Sequence, residues 1–201
     1  MPASRQPWPM KWIVAAIVVF VGGYTYLTLH FRKPGPAYEP YASMKNRANV
    51  ARLLSAGYQR IPLPAQRPAD RMTPIASATI SPAPGGLPAP LRSTLIAAPE
   101  LPTDITNVAA PPDASARDGY TFRFACTLPD SKRLLSGADL YVHGDEIVIA
   151  ADYEKISGEL LARTNDNVVE LTVPAGALKP GRYRVTLVGA QSSRAWTLQV
   201  R

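Results

Sequence analysis

One cysteine and two histidines in 201 residues leave little material for a chemical site. Cys126, standing alone, cannot close an intramolecular disulfide, so thiol usage does not identify the redox compartment. Residues 1–40 contain no cysteine, which excludes a lipid-modified cysteine after the hydrophobic stretch. His30 ends an apolar run, and His143 with Asp145 brings two metal ligands to a tight turn where three or four are needed. Asp152, Glu154 and Glu159 lack the spacing of a calcium loop. No nucleophile elbow, phosphate loop or dinucleotide fingerprint is present, and Gly85–Gly86 sits among prolines without a flanking strand and helix. The expectation is a protein with no catalytic residues, no cofactor and no metal.

Charge is missing altogether from Trp12 to Phe31, WIVAAIVVFVGGYTYLTLHF. A hydrocarbon core about 30 Å thick needs roughly 20 apolar residues in a helix. A cleaved secretory signal would show a shorter apolar core and a small-residue cleavage site. Ile13–Val21 followed by Gly22 and Gly23 imitates that pattern, but the apolar run continues to Leu29. Aromatic residues edge the segment as they do at membrane interfaces. Residues 12–31 therefore read as a retained transmembrane signal anchor behind a short basic tail, 1–11, with Trp12, Phe20, Tyr24, Leu29 and Phe31 as residues facing the bilayer.

Acidic residues are scarce before the C-terminal part. Residues 1–112 carry 11 Lys/Arg against 4 Asp/Glu, whereas residues 113–201 carry 11 of each. The net charge of +7 thus flanks the apolar segment rather than forming a patch on a domain, and nucleic acid is not an expected partner. Arg32, Lys33, Lys45 and Arg47 outnumber Arg5 and Lys11, which taken literally favours a cytoplasmic C-terminus. A signal anchor followed by a proline-rich stalk and a strand-rich domain is an arrangement common among exported bacterial proteins. On that ground the chain is expected in a bacterial inner membrane, single-pass, with its C-terminal domain periplasmic.

Residues 41–58 read as a juxtamembrane amphipathic helix, capped by Ser43 and ended at Gly57, Pro62 and Pro64. Met44, Ala51, Leu54 and Tyr58 recur at roughly helical spacing. They form a candidate docking stripe, for headgroups or the chain's own domain on one reading, for a membrane partner on another. Residues 62–112 hold 12 of the 21 prolines and no aromatic residue. Proline removes backbone donors, so residues 59–116 are expected to form an extended Pro/Ala-rich linker.

From Gly119 the hydrophobic period becomes two, the sign of half-buried strands. GYTFRFACT puts Tyr120, Phe122, Phe124 and Cys126 on one face; RYRVTLV buries Tyr183, Val185 and Leu187; RAWTLQV buries Trp196, Leu198 and Val200. ADLYV, EIVIAA, SGELLAR and NVVELTV bring the count to about seven strands. The expected fold class is an all-β antiparallel sandwich over 117–201, tethered by the linker to the transmembrane helix.

LKPGRYRVTL resembles the penultimate-strand entry of bacterial immunoglobulin-like and fibronectin-type-III-like domains. The resemblance implies that Tyr183 is a corner tyrosine tied back to nearby backbone. It covers residues 117–201, lacks the cysteine pair of antibody-type domains, and puts Trp196 in the last strand rather than the third. In layout alone, the chain resembles cytochrome-oxidase accessory proteins with one N-terminal helix and a small exported β-domain. Two functions follow as expectations. One is a noncatalytic envelope protein that presents its sandwich to a protein or envelope polymer. The alternative is an accessory or assembly subunit of an inner-membrane complex such as a respiratory oxidase.

Overall fold

The computed structural model describes residues 9–31, 42–68, 77–155 and 166–201, with residues 42–46 described by their backbone alone. Two compact units emerge, residues 1–41 and 42–201.

The first unit is a single helix, α1 (Met10–His30), of 21 residues with none of its side chains buried. It is long and apolar enough to cross a membrane. At about 1.5 Å per residue its length matches a hydrocarbon core of roughly 30 Å.

The second unit is a β-sandwich with a helical layer. Its elements are α2 (Ala42–Ser55), β1 (Gln59–Leu63), β2 (Ala65–Gln66), β3 (Ser81–Pro84), α3 (Ala89–Thr94), β4 (Asp104–Ala109), β5 (Asp113–Ala114), β6 (Tyr120–Thr127), β7 (Arg133–His143), β8 (Glu146–Lys155), β9 (Asp166–Val173), β10 (Gly181–Val188) and β11 (Ser192–Val200). One sheet runs β1-β7-β8-β10-β11-β3, with β5 also beside β11, and the other runs β2-β9-β6-β4. The alternation expected from Gly119 onward is present: Phe122, Cys126, Val185, Leu187 and Leu198 are at most 1% exposed and fill the space between the sheets. The strand expected over SGELLAR lies outside the described residues.

Two features differ from the expected seven-strand antiparallel domain. First, β10 pairs with β8 in parallel, and β5 pairs with β11 in parallel. Second, described parts of the expected linker, 59–68 and 77–116, belong to the folded unit. They supply β1 to β5 and α3, and residues 69–76 of that linker are not described. The physical reason is that strands from this segment sit at sheet edges. β1 and β3 end one sheet, β2 and β4 end the other, and β5 flanks β11. An edge strand needs donors on one side only, so Pro62, Pro82 and Pro84 are tolerated there. Gly85 fixes one of these attachments: a Cβ on it would stand 2.3 Å from the Gln191 backbone carbonyl, so only glycine lets the end of β3 lie against the β10–β11 turn.

The outer face of the larger sheet is apolar as well. Tyr141, Val148, Ala150 and Val188 point away from the sandwich core and are covered by Leu53 and Tyr58 of the α2 region and Leu91 of α3. The chain leaves α2 through Gly57 at φ +80°, with Tyr58 N–H bonded to the Leu53 carbonyl at 2.8 Å. The expected Ser43 cap falls among the side chains not described.

Candidate functional site

Beside that covered patch, a cleft of about 530 Å³ opens on the outer face of the larger sheet. Its floor is Asp139 and Tyr141 of β7 with Asp152, Glu154 and Lys155 of β8; Asn49 of α2 and Arg60 of β1 form a wall; Leu95 and Ala97–Glu100 form the rim. Strand alternation explains the floor. Leu140, Ile147, Ile149 and Tyr153 fill the sandwich core, so their odd-sided neighbours Asp139, Tyr141, Asp152 and Glu154 point outward.

The polar groups are tied to one another. Arg60 Nη2 donates to Asp139 Oδ2 at 2.7 Å, and the Tyr141 hydroxyl donates to the same oxygen at 3.3 Å. That bond to Asp139 strengthens the hold of Arg60 on its proton, while burial pushes the Tyr141 hydroxyl up. The Arg60 Nε atom is buried without a hydrogen-bond partner. Asp152 accepts from the Glu100 amide at 2.8 Å, and burial, with the Asp139 charge beside it, raises its carboxyl above the usual range. Glu154 accepts from the Ser136 hydroxyl at 2.9 Å. The rim is fastened by Asn49, whose Oδ1 accepts from the Ile96 amide at 2.7 Å, and by the Glu100 carboxylate on Arg133. Such a cleft offers carboxylate acceptors and two cations to a polar group. Its described lining contains no serine, cysteine, threonine or histidine to act as a nucleophile or base. Among the described residues no cluster of three His, Cys, Asp or Glu is placed to hold a metal ion.

The residues singled out from sequence fall elsewhere. Trp12, Phe20, Tyr24, Leu29 and Phe31 are all exposed, the first four on α1 and Phe31 just after it. Tyr183 on β10 donates its hydroxyl to the Lys179 carbonyl at 3.0 Å, four residues back. The docking stripe divides. Tyr58 is buried against His143, ring centroids 4.8 Å apart, whereas Ala51 and Leu54 face outward and the Met44 side chain is not described. Asn49 and Leu53 are the positions that α2 buries, because Asn49 satisfies the Ile96 amide and Leu53 meets the apolar sheet face. Asp139, Tyr141, Asp152 and Arg60 were not foreseen. They come from three strands, and no local spacing marks them.

Comparison with known family models, curated proteins and solved structures finds no match.

Proposed function

We propose that the chain is a membrane-anchored, noncatalytic cell-envelope protein that presents its sandwich for interaction with a protein or envelope polymer. In this reading α1 is a retained signal anchor in a bacterial inner membrane, and the sandwich faces the periplasm. The observation that carries it is the state of the cleft on the outer face of the larger sheet. Asp139 is engaged by Arg60 and Tyr141, Asp152 by the Glu100 amide, and Glu154 by Ser136, so each carboxylate holds structure rather than standing ready to move a proton.

An immunoglobulin-like reading of the sandwich draws on three features. Tyr183 makes the backbone bond of a corner tyrosine, β10 and β11 form a hairpin, and β5 runs parallel to β11. The parallel β8–β10 pair departs from it.

The test is an anchor exchange combined with crosslinking in native membranes. Only residues 1–31 should be replaced, since α2 begins at Ala42 and is part of the folded unit. Partner capture that survives the exchange supports presentation by the sandwich. Capture lost while the sandwich stays folded overturns it in favour of a membrane subunit that acts through α1.

A further inference from the structure

The most conspicuous unpartnered face is the outward side of α2. Arg47, Val50, Ala51 and Leu54 are all exposed and spaced i, i+3, i+4 and i+7, one stripe of a helix, with Val50 42% and Leu54 65% exposed. The stripe continues into an apolar groove of about 390 Å³ between α2 and β1, lined by Val50, Leu53, Leu54, Tyr58 and Pro62 among others. The fold has already used the opposite side of the helix, Asn49 and Leu53, to cover the sheet.

Charge identifies what the stripe meets. From Pro40 to Ala69 the sequence contains no Asp or Glu but carries Lys45, Arg47, Arg52, Arg60 and Arg67. Arg60 is held by Asp139, Arg52 reaches the Ser93 carbonyl at 3.4 Å and Arg67 the Asn167 side chain at 3.4 Å, while Arg47 is exposed on the stripe. An apolar stripe within an acid-free basic segment is the pattern of a helix that lies in the plane of an anionic interface. Position agrees with charge: residues 31–41 alone separate α1 from α2, and eleven residues reach at most about 40 Å.

We propose that the Arg47–Val50–Ala51–Leu54 face of α2 is a lipid-docking surface that seats the folded unit on anionic headgroups. The inference rests on α1 being a retained membrane anchor. Arg47 meets lipid phosphate while Val50 and Leu54 enter the headgroup boundary. Serving as a second, reversible attachment, it restricts the orientations in which the cleft is offered.

The experiment uses the full chain reconstituted into vesicles of phosphatidylcholine alone or with phosphatidylglycerol. A Leu54→Cys variant carries an environment-sensitive fluorophore, Val50→Cys serves as a second reporter, and Asn107→Cys, at an exposed position of β4, is the solvent control. Native Cys126 is 1% exposed and does not compete for label. Lipid-borne quenchers should quench the α2 labels several-fold more in phosphatidylglycerol vesicles than in neutral ones. Added salt or Arg47→Glu should reverse this, with the Asn107→Cys label unaffected throughout. Equal quenching in both vesicles, or none in either, overturns the inference. A label shielded in native membranes but not in vesicles assigns the face to a protein partner and overturns it too. Flotation of the same samples reads the anchor separately. A chain that does not float fails as an anchor, and the lipid-docking inference fails with it.

Discussion

The Trp196 indole N–H donates to the Tyr120 hydroxyl at 3.1 Å, and that hydroxyl in turn donates to the Pro111 carbonyl at 3.0 Å. The relay joins the last strand to β6, a central strand of the other sheet, and to the segment before β5. Both rings are buried, and Phe122 packs beside each of them. Tyr120→Phe leaves a buried indole N–H without its acceptor. It should cost about 1–3 kcal/mol, the penalty for an unsatisfied buried donor, measured by chemical denaturation. No change in stability would mean that the relay contributes nothing.

Tyr183→Phe removes a single bond, to the Lys179 carbonyl, and leaves no buried N–H without its acceptor. A smaller loss of about 0.5–1.5 kcal/mol is expected. Equal losses for the two tyrosine variants would contradict the difference in their surroundings.

The folding boundary is testable directly. A fragment of residues 42–201 should fold as a cooperative unit, since it matches the compact unit of the structure. A fragment of residues 117–201 should not. It lacks β1, β2, β3, β4 and β5, which cover the edges of both sheets, and it loses the buried Leu53, Leu63, Leu91, Ile105 and Val108. Open edges of that kind favour association between chains. Comparison of the two by circular dichroism and sedimentation decides the point; a monomeric, folded 117–201 fragment would restore the linker reading.

What the sequence disclosed and what it hid follow from the range of the interactions. Tyr120, Phe122 and Phe124 were legible because alternation is local, and their strand shows it over eight residues. Ser81–Pro84 was not, because its strand character comes from pairing with Ser192–Ala195, more than a hundred positions away. Of the expected stripe Met44, Ala51, Leu54 and Tyr58, only Ala51 and Leu54 are seen to share the exposed face of α2, and Tyr58 is buried. Asn49 is polar by composition, yet its bond to the Ile96 amide places it on the buried side. The cleft draws on positions 49, 60, 95, 97–100, 139, 141 and 152–155, so no short window of sequence contains it.

Cys126 lies 3.0 Å from the Tyr153 hydroxyl, 1% exposed, with burial raising its thiol pKa. Thiol reagents should modify it only after denaturation, since the thiolate is the reactive form. Cys126→Ala should destabilise the sandwich by about 1–3 kcal/mol through a small cavity and the loss of the Tyr153 contact. Rapid modification of the native protein would contradict the burial.

Asp152 gives a pH dependence. Burial raises its folded-state carboxyl pKa above the value of 3.8, so the ionised form is disfavoured in the fold. The resulting cost is present above the folded pKa and vanishes as pH falls below the unfolded one. Asp152→Asn keeps an acceptor for the Glu100 amide and removes the charge. It should therefore raise the melting temperature at neutral pH, with the gain shrinking toward pH about 4. A gain that does not vary with pH would rule out the charge as its source.

The position of β11 governs when the fold can be completed. Ser192–Val200 is paired with β10 on one side and with both β3 and β5 on the other. Ser81–Pro84 and Asp113–Ala114 therefore wait, as the chain is made, for a partner that emerges roughly 85 to 115 residues later. Pairings of such sequence separation fold slowly. β3 and β5 are thus secured late although they are synthesised early, and throughout that interval these short strands offer other chains little to pair with.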